Sequence, residues 1–222
     1  MAIRVCWLTE LGLSHKDRFL CLGGLADIDK SIEYISRALT LTPDGDLNLP
    51  YRLAHLGVSL DHRFRRLGEL NHIEKPIPSM TRALALTPNG NSNLLYWLTN
   101  LGQSHRDRFR RLNELDDMEK SIEYISRALT LNPDGDSAWP HRLNNIGLSH
   151  SERFKHLGEL NDLEKFTEYT SRALALTRAP DGNSELPDRL TSLEMAHHQQ
   201  FHRLGEPNDI EKSIEYTPVP LK

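Results

Sequence analysis

Eleven histidines are the first residues in this chain whose chemistry invites a function. Four of them, His15, His105, His150 and His197, recur at one register, and Leu60 fills that register between the first two. Leu60 lies on an apolar stripe, so the register points inward and its histidines read as packed or partly buried. Successive copies stand one structural unit apart, about 10 Å or more if helices pack side by side, too far to share a metal. His198 and His202 are four residues apart on one helix face and could hold zinc, but neither His197 nor the segment around Pro207 completes a ligand set. The pairs Ser14-His15, Ser104-His105 and Ser149-His150 suggest a nucleophile beside a base. Adjacent helical residues do not face each other, and no acid stands nearby to orient the imidazole. Cys6 and Cys21 lack an activating motif and read as packing residues with free thiols. On one helix they would stand about 22 Å apart, too far for a disulfide. Gly23-Gly24 is a helix end, not a phosphate loop. The expectation is a non-enzyme with no catalytic residue, metal site or cofactor.

Arginine clusters at Arg63–Arg66 and Arg106–Arg111 read as a solvated helix face paired with Asp and Glu of the helix that follows, the competing reading being a strip for an acidic peptide. The net charge is −4, which argues against nucleic acid and an anionic membrane surface as partners. No apolar run approaches the roughly 18–20 residues that span a bilayer. The N-terminal apolar stretch is short and broken by Arg4 and Glu10, unlike a signal peptide. With two free thiols, a reducing cytoplasmic location is the expectation.

The segment from Glu119 to Asp136, EKSIEYISRALTLNPDGD, returns from Asp29 to Asp46 with 16 of 18 positions identical. Looser copies begin at Glu74 and Glu164, and a cut-off copy begins at Glu211. Phe19, Phe64, Phe109 and Phe154 are 45 residues apart, and Phe201 follows after 47 because Arg178 and Ala179 are inserted in a loop. Such a period means one supersecondary unit per repeat, stacked on its neighbours. In the first half of each unit, Leu53, Leu56, Leu60, Phe64 and Leu67 make a helical stripe, helix A. Pro50, Pro140 and Pro187 mark its start, and Gly23, Gly68, Asn113, Gly158 and Gly205 mark its end. Gly12, Gly57, Gly102 and Gly147 lie inside it. At about 1 kcal/mol each against alanine, they imply close approach to a neighbouring helix.

The second half is helix B. Asn71, Asp116, Asn161 and Asn208, each three residues before a glutamate, read as N-caps in capping boxes. Ile28, Ile32, Ile35 and Leu39 form one edge, and Ser31, Tyr34, Ala38 and Leu41 a second. Two edges mean that helix B packs on its own helix A and on the next. In the second repeat, Pro76 and Pro78 predict a late start, with Pro76 at the first helical position.

These residues resemble the tetratricopeptide (TPR) repeat family. EKSIEYISRALTLNPDG is similar to the second TPR helix with its closing proline, and Leu101-Gly102 to the Leu-Gly pair of the first. The family repeat has 34 residues; the longer period is similar to arrays of fungal and bacterial proteins that often precede a caspase-like CHAT domain. The resemblance implies an all-α, right-handed solenoid as one domain over 1–222, with repeats near 1–46, 47–91, 92–136, 137–183 and a truncated 184–222. It implies a scaffold for a protein or peptide partner in a concave groove lined by helix A. The alternative is a sensor array of a larger protein with a CHAT effector. The matching groove positions are Tyr51, Ala54, Val58 and Asp61; Tyr96, Thr99, Gln103 and Arg106; and His141, Asn144, Leu148 and Ser151. All lie off the apolar stripe, which predicts that they are exposed. Both ends look cut, as in a fragment of a longer array, and uncapped ends offer faces for self-association.

Overall fold

A computed structural model describes residues 2–68, 75–88, 90–131, 137–177 and 186–217. Among these every regular element is a helix. The first compact unit, residues 1–114, holds α1 (Ala2–Leu22), α2 (Leu25–Thr40), α3 (Leu49–Leu67), α4 (Pro76–Leu86) and α5 (Leu94–Leu112). The second, residues 115–222, holds α6 (Leu115–Thr130), α7 (Trp139–Leu157), α8 (Leu160–Ala175), α9 (Leu186–Leu204) and α10 (Pro207–Tyr216). Odd numbers are A helices and even numbers B helices.

Each unit is built as the two apolar edges require. In the first, α2 packs on α1 and α3, and α4 on α3 and α5; in the second, α8 packs on α7 and α9. Ile28, Ile35 and Ala38 of α2 are fully buried, as are Met80 and Ala83 of α4 and Phe166 and Ala173 of α8. Burying a side chain the size of Ile or Phe stabilises by about 1.5–3 kcal/mol, so the core is a series of such sandwiches.

The A helices stop where expected. Gly23, Gly68, Asn113, Gly158 and Gly205 all take the left-handed conformation, with φ between 60° and 75°. Each donates its N–H to the carbonyl of the phenylalanine four residues earlier, at 2.7–2.8 Å, which satisfies a carbonyl the helix end would otherwise orphan. The internal glycines mark close approaches. A Cβ on Gly12 would stand 2.6 Å from Ile35 Cγ1, and one on Gly57 2.5 Å from Met80 Cγ and 3.0 Å from the Pro76 carbonyl oxygen.

The second repeat starts its B helix at Pro76; residues 69–74, including Asn71 and Glu74, lie outside the described residues. Elsewhere the capping boxes are not formed. α8 and α10 begin at Leu160 and Pro207, one residue ahead of the proposed caps, so Asn161 and Asn208 already lie within the first turn, and α2 begins at the matching Leu25. Asp116 likewise falls inside α6. The caps are Gly24, Glu159 and Glu206 in extended conformation, with no side-chain cap bond. Their carbonyls accept the N–H of Asp27, Asp162 and Asp209 at 2.9–3.0 Å. Those aspartates, in the positively polarised first turn, are then free to turn their carboxylates toward helix A.

Candidate functional site

The histidine register is where those carboxylates go. His15 Nδ1 lies 2.9 Å from Asp27 Oδ1, His150 Nδ1 2.7 Å from Asp162 Oδ1, and His197 Nδ1 3.0 Å from Asp209 Oδ1. Each imidazole also stacks on a helix B tyrosine, Tyr34, Tyr169 or Tyr216, with ring centres 5.6–5.8 Å apart. Arg18 and Arg153 donate to the same aspartates. The Arg18 and His15 hydrogen bonds hold the Asp27 carboxyl down to about 2. Burial pushes the Asp162 carboxyl up, but Arg153 and His150 outweigh it and keep it low. Burial lowers His150 despite Asp162.

A His–Asp pair can orient a general base, but chemistry needs a nucleophile or substrate at the far nitrogen. Here the pair recurs from hairpin to hairpin, sandwiched against tyrosine, and locks helix A to helix B. Ser149, beside His150, instead exchanges a hydrogen bond with Ser121 at 2.9 Å. The aspartate and tyrosine partners escape a reading of the histidines alone. Their signal is nevertheless in the sequence: the second repeat replaces all three at once, with Leu60, His72 and Ser79.

The concave-face positions divide. Tyr96 and His141 are exposed, and Tyr51, Asn144 and Leu148 are half-buried. Ala54, Val58, Asp61, Thr99, Gln103, Arg106 and Ser151 are buried, against the expectation of exposure. Helix A has a second packing face: α3 touches α1 and α5, and α7 touches α9. In the first unit that seam is polar. Ser104 Oγ donates to Asp61 Oδ1 at 2.7 Å, Arg65 Nε bridges Asp61 at 2.9 Å and Asp107 at 2.8 Å, and Arg52 Nε donates to Thr9 Oγ1 at 3.1 Å. A stripe defined by apolar residues alone misses a face built from hydrogen bonds. Burial raises the Asp61 carboxyl to about 6, against Arg65 and Ser104. Asn144 Oδ1 and Ser151 Oγ, two turns apart on one face of α7, are buried without a hydrogen-bond partner among the described residues.

In the first unit the groove-facing groups sit close enough to sense one another. The Tyr51 ring meets His55 edge-on at 4.3 Å. Burial raises the Tyr51 hydroxyl, helped by Glu10 and Asp17, and burial with Asp17 and Asp61 also raises that of Tyr96. Tyr51 lines two clefts. One, of about 490 Å³, also involves Val5, Thr9, Leu41 and Arg52; the other, of about 360 Å³, also involves Leu49, Leu86 and Trp97.

The remaining candidates resolve individually. Cys6 and Cys21 are exposed free thiols, not packing residues. Arg65 pairs with acids of A helices rather than B helices, whereas Arg63 Nε does reach Asp29 of α2 at 2.7 Å. His198 and His202 are exposed, with Nε2 atoms 3.0 Å apart. Among the described residues no group of three or more His, Cys, Asp or Glu could hold a metal ion, and no helix is long and apolar enough to cross a membrane.

The tetratricopeptide-repeat family model matches residues 112–134, which contain α6. The crystal structure of MamA superposes with a TM-score of 0.61 at 15% identity, covering 99% of this chain and all of that one. This chain carries a tetratricopeptide repeat and has the TPR fold. The nearly identical TPR-like repeats of a Podosopora anserina protein match with a TM-score of 0.64 at 9% identity, over 94% of this TPR chain and 95% of theirs. Pseudomonas aeruginosa PilF matches at 0.59 and 14% identity, over 99% of this chain and 79% of its own. No curated protein matches the TPR chain in sequence.

Proposed function

We propose that this TPR chain is a non-catalytic protein–protein interaction scaffold that binds a peptide or partner helix on the concave helix-A face. The observation that carries this reading is the aromatic pair on consecutive A helices of the first unit. Tyr96 of α5 is 42% exposed and Tyr51 of α3 is half-buried over its two clefts. Rigid aromatics with a polar tip give large contact area at low entropic cost. Glu10 and Asp17 of α1 add negative charge within range of Tyr51, which favours a basic residue in the ligand. In the second unit, His141, Asn144 and Leu148 occupy the corresponding positions of α7. The seven buried positions, with Asp61 in the helix-to-helix seam and Ala54 in the core beside Ala83, reach a partner only through their exposed neighbours. The alternative role, a sensor array regulating a caspase-like CHAT effector, rests on repeat length and sequence pattern; an in-frame effector segment in the gene would favour it.

The test is affinity capture by the intact 222-residue protein and by its Tyr51→Ala/Tyr96→Ala variant, with Lys30→Ala on exposed helix B as control. The variant should recover a specific partner at least fivefold less well than wild type and control. Equal recovery by all three would refute the groove.

A further inference from the structure

We propose that the smaller of the two clefts beside Tyr51 is a pocket for one apolar side chain of the bound peptide, and that the larger takes a basic side chain three residues away along an extended chain. This rests on the concave-face reading and gives it a ligand chemistry. The clefts are one position in consecutive repeats. Leu41, Pro43 and Arg52 line the larger, and Leu86, Pro88 and Trp97, each 45 residues later, line the smaller. Both lie between consecutive A helices of the first unit, α1 and α3 for the larger, α3 and α5 for the smaller.

Their linings differ in chemistry. Arg52 is buried, and its guanidinium is spent on Thr9, Thr42 and Asp46. The same register holds buried arginine again at Arg142 and Arg189. In the smaller cleft it holds Trp97, and the acid leaves with the base. Asn91 replaces Asp46, and its side chain turns back to accept the Asn93 N–H at 2.9 Å. Trp97 is packed against Leu49 and Ala83, so it is a rigid wall rather than an anchor. The rim departs from the repeat in the same direction. Leu47 lines this cleft at 95% exposure, where the other repeats have Ser92, Ser137 and Ser184. Leu86, in the same lining, is 46% exposed. A lone exposed leucine is ordinary, but Leu47, Leu86 and Tyr51 around one cavity make a patch. The core does not call for Leu47, which is almost wholly in solvent, and two apolar departures from the repeat fall on one cleft.

The larger cleft sets the other half of the ligand. Glu10 lines it and is exposed, with no ion pair among the described residues. Arg52 and Asp46 offset each other at 3.4 Å, so the free charge on this lining is negative and complements a lysine or arginine. Successive A helices stand about 10 Å apart. A polyproline II chain returns a side chain to the same face every three residues, about 9.3 Å along, and such a chain suits an aromatic-lined groove. A basic residue over Glu10 therefore places the side chain three positions on over Leu47 and Leu86.

The test is selection of random peptides displayed on phage against the intact chain. Lysine or arginine with Leu, Ile, Met or Phe three residues from it should be enriched at least fivefold over the input library. On Leu47→Ser/Leu86→Ser the apolar preference should fall at least threefold while the basic one persists. Leu131→Ser/Leu176→Ser, which removes equally exposed leucines at the Leu86 register of other repeats, should keep both. Circular dichroism should show both variants as helical as wild type, because all four positions are exposed. For a selected peptide made synthetically, alanine at the apolar position should weaken binding at least tenfold to wild type and less than twofold to Leu47→Ser/Leu86→Ser. Enrichment of a basic residue alone, or of an apolar residue at another spacing, would overturn this pocket and leave the groove standing. No enrichment on the wild type would overturn both. A wild-type dimer in sedimentation that Leu47→Ser/Leu86→Ser converts to monomer would also overturn the pocket, because a second copy would then own the cleft.

Discussion

Asp27, His55, His62 and Asp61 show how the first unit spends its ionisable residues, and their opposed shifts fix a pH dependence. Burial holds His55 and His62 down to about 4, with Lys16 adding to the effect on both and Arg65 on His62. A histidine whose folded value lies below its unfolded value of about 6.5 binds protons more readily when unfolded. Stability from these two is therefore complete above about pH 6.5 and drains as pH falls toward 4. Asp61, raised to about 6, works in the opposite sense: its ionised form costs stability above about 6, and that cost disappears as pH falls through 6 toward 4. Two histidines against one carboxyl leave a net loss on acidification. Asp27, held at about 2, then adds a further loss between about pH 4 and 2. Urea midpoints followed by circular dichroism should fall from pH 7 to 4 in the wild type. They should fall less steeply in His62→Gln, which keeps a polar group of similar reach but does not titrate. A flat profile, or an unchanged slope in the variant, would show that these imidazoles are not the buried neutral groups described. The histidine register was legible as inward-pointing because Leu60 shares it. The aspartates were not, because the residues beside them, Asn161 and Asn208, resemble helix caps and drew the reading one position along the chain.

At the level of the helix, local rules set both ends of helix A and both faces of helix B, and these are legible in the sequence. Proline at the start and glycine or asparagine at the end are backbone requirements, independent of what the helix touches. Gly158 isolates the cost, since a Cβ there would meet nothing within 4 Å, yet its φ is 72°. Gly158→Ala should thus lose about 1 kcal/mol from backbone strain alone, and Asn113→Gly, at φ 60°, should gain a few tenths of a kcal/mol. Thermal or guanidinium unfolding of the two variants beside wild type checks both, and opposite signs are the decisive outcome. What could not be read at this scale was the A-to-A seam. Its residues, Thr9, Arg52, Asp61, Arg65 and Ser104, are polar, and a hydropathy stripe assigns polar residues to solvent. They are buried because each finds a partner on the adjacent A helix, and such partners stand 43 residues apart in the chain, as Thr9 and Arg52 do, beyond the reach of any local pattern.

Across the whole chain, stability in a stacked array is a sum of repeat stabilities and nearest-neighbour terms, so one defective repeat limits its unit. The second repeat is that one. Its helix α4 has 11 residues where α2, α6 and α8 have 16. It also lacks the His–Asp–Tyr lock, having Leu60, His72 and Ser79 at those registers. Pro76 and Pro78 occupy the places of Ser31 and Glu33, and neither supplies the N–H that would let the helix begin earlier. Restoring the pattern with Pro76→Ser and Pro78→Glu should let α4 start nearer Leu70, the counterpart of Leu25. It should also place a hydroxyl opposite Ser104, as Ser31 stands opposite Ser59. Substitutions toward a repeat's own consensus commonly add about 0.5–2 kcal/mol, and the double variant should fall in that range. The measurement is native-state hydrogen exchange. Amides of Met80 and Ala83 should exchange more slowly in the variant, by about the factor that the stability gain implies, while α8 amides in the second unit serve as reference. If Met80 and Ala83 exchange faster, the prolines are favoured by something other than the helix start, most directly by the contact between the Pro76 carbonyl and Gly57. In that case the short α4 is a fitted joint rather than a defect, and the close approach at Gly57 is what the second repeat preserves.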